Sequence, residues 1–255
     1  MSFVAVTVDG PVMTTRIARP EVRNALHPAA HAEMAAAFDR FAADDSLCVA
    51  IVTGTGEKAF CAGSDLKVRA EMGHDDMPAT GFAGITERFD LTKPVIAAVN
   101  GDAIGGGLEI VLACDLALAV PEARFGLPEP RVGLAAAGGL HRLVRQTPEK
   151  WAMEVALTGR LFGADEALRI GLINRVVPRA ELMTETRALA AEIAANAPLA
   201  VRATKQMMQG GRDHARLEDA FAASYPAYDS MLASEDAVEG PRAFAEKRAP
   251  RWKGR

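Results

Sequence analysis

The run VIAAVNGDAIGGGLEIVLACD, Val95 to Asp115, leaves this chain few ways to fold. Val95 to Val99 is a short, β-branched apolar run suited to a buried strand, and Asn100 and Gly101 punctuate it. Leu108, Val111 and Leu112 then recur at helical spacing, so a helix begins at or just after Gly105, Gly106 and Gly107. The first-turn N–H groups of a helix lack partners within it, and glycine lets another atom approach them closely. Such a helix start suits a phosphate or a developing oxyanion. Glu109 follows in the same turn. The order is not G-x-G-x-x-G, and no Lys-Ser or Lys-Thr pair follows, so the nucleotide-binding motifs do not match. A strand-to-helix turn without a ligand uses the same glycines, and the other segments must decide between the two.

Taken in order, Phe3 to Val8 and Val12 to Ile17 form a hairpin turned at Asp9, Gly10 and Pro11. A helix is expected from Ala29 to Ala43 on the stripe Met34, Phe38 and Phe41, and a buried strand from Val49 to Thr53. AFCAGSDLKV is a second turn of small residues, in which Ser64 or Asp65 is placed to cap a helix. Ser64 lacks the G-x-S-x-G elbow and a recognisable histidine partner, which argues against a serine hydrolase. Residues 68–88 show no steady period and read as a loop or frayed helix, with Met72, Met77 and Phe82 either lining a pocket or pinning the loop. Leu116 to Val120 reads as a strand. Pro128 and Pro130 then fix the backbone on both sides of Glu129, which aims one carboxylate rigidly.

From Pro148 onward helices dominate. Short ones end at Gly159 and Gly171, one runs from Ala180 to Ala195, and Pro198 starts another. A single longer helix is expected from Asp213 to Leu232, and Ser234 caps a last one ending near Lys247. This shift divides the chain into a core, 1–195, and a helical region, 196–255. Repeated strand, strand, helix units fit a ββα spiral, although a doubly wound sheet reads similarly at this level.

Composition narrows the function. A net charge of −4 over 255 residues gives no broad basic face for nucleic acid. The three cysteines, Cys48, Cys61 and Cys114, sit in apolar runs without metal spacing and read as buried thiols, and five scattered histidines suggest no metal site. Neither a secretory signal nor an apolar run of membrane length is legible, which points to the cytoplasm.

With RPEVRNAL, AFCAGSDLK, KPVIAAVNGDAIGGGLE, ARFGLPEPRVG, TGRLFGADEALRIGLINRVV and EDAVEGPRAFAEKRAPRWKG in this order, the chain resembles the crotonase, or enoyl-CoA hydratase/isomerase, superfamily. The resemblance implies an α/β fold, a spiral of ββα units with a helical C-terminal trimerisation region, assembled as a homotrimer or a dimer of trimers. It implies an acyl-CoA thioester substrate and no metal or redox cofactor, coenzyme A being part of the substrate. The N–H groups of Ser64 and Gly106 fall on the oxyanion-hole positions, and Glu109 and Glu129 on the two glutamates that hold a water in hydratases. Water activation is assigned to Glu109 and proton delivery to C2 to Glu129, with the roles reversed in dehydration. For CoA the resemblance points to Arg23, Asn24, Ala25, Ala62, Asp65, Leu66 and Lys67. The C-terminal cations Lys247, Arg248, Arg251 and Lys253 are candidates for phosphate contact, though a solvated tail explains most of them better. One departure stands out: at GLAAAGGL, residues 133–140, the usual Pro-Gly is absent and the loop is one residue short. Enoyl-CoA hydratase activity is the expectation. The alternatives are a carnitinyl-CoA-like dehydratase, an enoyl-CoA isomerase, and a catalytically silent acyl-CoA-binding protein.

Overall fold

The computed structural model describes residues 2–73 and 76–255, so His74 and Asp75, within the loop expected at 68–88, lie outside the described residues. Strands β1 (Val4–Asp9) and β2 (Val12–Ile17) form the expected antiparallel hairpin, turned at Gly10 with a positive φ of 53°. Helix α1 (Pro28–Ala43) follows, its first turn capped by His27, whose Nδ1 accepts the Ala30 N–H at 3.2 Å. Its stripe of Met34, Phe38 and Phe41 is fully buried.

The chain then repeats one pattern: a strand joins a larger sheet, the next joins a smaller one, and a helix or helical turn returns. The first unit is β3 (Val49–Gly54), β4 (Ala59–Cys61) and α2 (Leu66–Met72), and the second is β5 (Val95–Val99), β6 (Asp102–Ile104) and α3 (Gly106–Ala113). In the third, β7 (Leu116–Ala119) and β8 (Arg124–Gly126) lead through a 3-10 turn at Glu129–Val132 to α4 (Leu140–Gln146). Helix α5 (Glu149–Thr158), strand β9 (Phe162–Gly163), helix α6 (Ala164–Arg169) and strand β10 (Arg175–Val176) complete the core. The larger sheet runs β1-β2-β3-β5-β7-β10 and is parallel beyond the hairpin; the smaller runs β4-β6-β8-β9. This is the ββα spiral. Strands β3 and β5 are buried at every residue, as parallel strands covered on both faces must be.

Helices α7 (Leu182–Ala194), α8 (Pro198–Gly211), α9 (Leu217–Ala222), α10 (Pro226–Leu232) and α11 (Glu235–Ala245) follow. The single helix expected from Asp213 to Leu232 is broken. Tyr225 is extended at φ −126° and ψ 91°, as the residue before Pro226 is driven to be, and α10 restarts at the proline. Ser234 caps α11 as expected, its Oγ accepting the Ala237 N–H at 3.1 Å. Lys205 ties α8 to the core through the Lys93 carbonyl at 2.9 Å and the Asp115 carboxylate at 2.8 Å.

The segment read as a loop at 68–88 is helical at its start, in α2, and forms a 3-10 turn at Phe82–Gly84. Of the three residues proposed to line a pocket there, Phe82 is buried while Met72 and Met77 are exposed. Among the described residues no helix is long and apolar enough to cross a membrane.

Candidate active site

The glycines at 105–107 are there because the backbone of β4 and its following turn lies against the start of α3. Gly105 has φ 58° and ψ −126°, and its N–H donates to the Gly126 carbonyl at 2.8 Å, so it turns the chain from the small sheet into the helix. A Cβ at Gly107 would collide with the Cys61 carbonyl, and one at Gly106 with the Phe82 ring. Gly63, at φ 90°, packs so closely that a Cβ there would lie 3.1 Å from the Gly106 nitrogen. The two turns of small residues, one carrying Ser64 and the other Gly106, therefore sit against each other. At the first position of α3 the Gly106 N–H has no partner within the helix.

Glu109 lies in the first turn of α3 and is only 6% exposed. Glu129 heads the 3-10 turn between Pro128 and Pro130 and is half-buried. Its Oε1 lies 2.8 Å from the place a Gly105 Cβ would take, so the second carboxyl reaches the same helix start. From the other side Gly138 and Gly139 close on Glu109: Cβ atoms there would lie 3.0 Å from its Oε2 and its Cγ. Glu109 Oε1 and Glu129 Oε2 are both buried with no hydrogen-bond partner among the described residues.

Burial first, and then the neighbouring Glu129 carboxylate, push the Glu109 carboxyl up to about 7, against the opposing pull of the Gly138 and Gly139 amides and the Arg142 cation. Burial raises Glu129 as well. Two raised carboxyls that feel each other give up their protons in separate steps, and the singly protonated pair offers one acid and one base side by side.

The segments expected to meet CoA are also brought together. Leu26 N–H donates to Gly63 O at 2.8 Å, Asp65 N–H to Leu26 O at 2.8 Å, and Ala62 N–H to Arg23 O at 3.1 Å, so 23–26 runs beside 62–65. Arg19 bridges them, donating to the Ala25 carbonyl and pairing with Asp65 at 3.1 Å. Arg23 and Asn24 hold left-handed φ values of 54° and 57°. Asn24 is fully buried and its side chain is engaged within the fold, accepting from Arg19 N–H and donating to the Thr55 and Ala59 carbonyls. Ala25 is buried, Ala62 half-buried, and Arg23, Leu66 and Lys67 are exposed. Among the C-terminal cations, Arg248 pairs with Glu239 and Glu246, and Lys253 with Glu235.

Sequence reasoning missed Arg142 and Thr86. Arg142 Nη1 donates to the Thr86 carbonyl at 2.6 Å and the Gly138 carbonyl at 3.3 Å, and the Thr86 hydroxyl lies beside Gly138. The available signal was Gly138-Gly139 opening a helix whose first turn carries an arginine.

The model of the enoyl-CoA hydratase/isomerase family matches residues 8–255. A carnitinyl-CoA dehydratase of Proteus mirabilis is 46% identical over 256 residues, covering 98% of this chain and 97% of that protein. Among solved structures, an enoyl-CoA hydratase from Mycobacterium tuberculosis is 41% identical with a TM-score of 0.93, covering 100% of both chains. A carnitinyl-CoA hydratase from Mycobacterium avium is 42% identical with a TM-score of 0.79, again over 100% of both. Matched along nearly its whole length by sequence and by structure, the chain belongs to the enoyl-CoA hydratase/isomerase family.

Proposed function

We propose that this protein is a hydratase-type lyase acting on acyl-CoA thioesters, adding water across the C2–C3 double bond of a trans-2-enoyl-CoA and catalysing the reverse dehydration. The observation that carries this reading is the convergence of Glu109 and Glu129 on the glycine start of α3. In hydration Glu109 takes a proton from water as its oxygen bonds to C3, and Glu129 delivers a proton to C2. The negative charge that gathers on the thioester oxygen is met by the N–H groups of Ser64 and Gly106, donors that do not depend on side-chain identity. Arg23, Ala25, Ala62, Asp65, Leu66 and Lys67 line the CoA path, with Asn24 shaping it from within. The reaction is acid–base chemistry and calls for no redox cofactor.

A second reading concerns direction and substrate. Dehydration runs the same steps backwards: the Glu129 carboxylate takes the C2 proton and the Glu109 acid protonates the departing C3 hydroxyl. The 46% identity to a carnitinyl-CoA dehydratase supports a 3-hydroxyacyl-CoA bearing a cationic tail as the preferred substrate. The test follows the conjugated thioester absorbance with crotonyl-CoA, 3-hydroxybutyryl-CoA and carnitinyl-CoA. Turnover is expected with all three and the highest kcat/KM with carnitinyl-CoA. A preference for crotonyl-CoA would overturn the second reading alone, and binding without turnover of any would overturn the first and leave a silent acyl-CoA binder.

We further read 1–195 as the acyl-CoA-binding core and 196–255 as the assembly region. Support comes from Met208, Leu217, Phe221, Val238 and Phe244, large apolar side chains left exposed along α8 to α11. A mass of three or six chains is expected by light scattering, and a monomer at micromolar concentration would overturn this assignment.

A further inference from the structure

We propose that Arg142 is a positioning residue of this site, clamping the glycine turn at 138–139 to the Thr86 segment so that the turn holds Glu109 in register with Glu129. The inference rests on the reading of Glu109 as a catalytic residue. Its basis is geometric. In the shortened loop Gly138 packs against the Glu109 carboxyl and Gly139 against its Cγ, so closely that a Cβ at either would lie 3.0 Å away and require a shift. A glycine pair has little conformational preference of its own, so something else must fix it. Arg142, in the first turn of α4, donates from a single nitrogen to the carbonyl of Gly138 and to that of Thr86, which belongs to a different part of the chain. Its guanidinium also lies 5.4 Å from the centre of the Phe89 ring. Thr86 is itself buried, and its hydroxyl flanks Gly138. One cation thus joins the glycine turn that packs on Glu109 to the Thr86 segment beside it.

The charge has a second effect. Glu109 is faced by Glu129 from the 3-10 turn, by the Cys61 thiol from β4 and by Arg142 from α4; Arg142 in turn is faced by Glu109, Glu87 and Cys114. Arg142 is the cation in this set, and it opposes the rise of Glu109. Removing it moves the loss of the last proton from the pair to higher pH.

The test compares the parent with Arg142→Met, Arg142→Gln, Arg142→Lys and Glu109→Gln. It uses kcat and KM across the neutral range, thermal unfolding, and a carbon-13 NMR titration of the carboxyl resonance that Glu109→Gln removes. Arg142→Met is expected to lose roughly ten- to hundredfold in kcat with KM changed by no more than about twofold. The Glu109 titration and the alkaline limb of kcat/KM should move up by about half to one pH unit. Arg142→Lys should keep the parental titration because it keeps the charge. If Arg142→Met does not fold, Arg142→Gln carries the same expectation. A parental kcat and titration in the uncharged variants, beside an inactive Glu109→Gln, would overturn the role of Arg142 alone. The same holds for a loss of activity that tracks unfolding temperature with the titration unmoved. A fully active Glu109→Gln would overturn the reading of Glu109, and the role of Arg142 with it.

Discussion

Glu109→Gln is expected to lower kcat by a factor of about 100 or more, the scale of a general acid–base group, while making the protein more stable at alkaline pH. The two effects share one cause. The folded protein keeps a proton on this buried carboxyl up to about pH 7, whereas an ordinary glutamate releases it at 4.5. Between those values the folded state binds more protons than the unfolded chain, so stability from this group falls as pH rises, by at most about 1.4 kcal/mol per pH unit. Above that window the folded protein carries the full cost of a desolvated charge next to Glu129. Glutamine carries no charge and escapes that cost. Thermal unfolding of parent and variant is expected to differ by several degrees above pH 7, at roughly 2–4 °C per kcal/mol for a chain of this size, with the gap closing toward pH 4.5. A variant as active as the parent would show that Glu109 does not react, and one with the same stability at every pH that burial does not strain it.

The second large effect is expected at Gly107. A Cβ at this position would fall on the carbonyl carbon and oxygen of Cys61, which are backbone atoms that cannot rotate away. Relief requires α3 and the 61–64 turn to separate, and that would cost about 3 kcal/mol, or roughly 10 °C in unfolding temperature. Activity should fall with it because the same separation moves Ser64 from Gly106. Gly163→Ala is the matched control: a Cβ there meets nothing within 4 Å, and the backbone φ of −87° suits any residue. If Gly107→Ala unfolds with the control, the close approach of the two turns is not what holds the helix start in place.

Much of this was legible in the sequence because it depended on local rules. The hairpin, α1, β3, β5 and the α3 start were set by alternation, helical spacing and glycine. Residues 213–232 failed for a local reason too: helical spacing was followed across Pro226, whose effect on Tyr225 outweighs it. Strands β4, β6 and β8 are three residues each, too short for any period to show, and they exist because neighbouring strands supply their hydrogen bonds. The pairing of Glu109 with Glu129 was legible only through the family resemblance, since 20 positions of chain separate them and no spacing rule joins a helix start to a 3-10 turn. Arg142 escaped because its importance lies in which two carbonyls it reaches, a fact of tertiary structure. Asn24 was identified as a ligand contact, yet its side chain is taken up by three backbone groups.

The internal bonding of that segment carries a thermodynamic consequence. Arg23 and Asn24 occupy left-handed backbone conformations that are uncommon for residues with side chains, and the Asn24 amide, the Arg19–Asp65 pair and the strand-like pairing of Leu26 with Ser64 hold them there before any ligand arrives. The ordering entropy of this stretch is lost during folding and does not recur on association. For any ligand that contacts this stretch, affinity is then limited mainly by the freedom the ligand gives up, since the protein side is already in place.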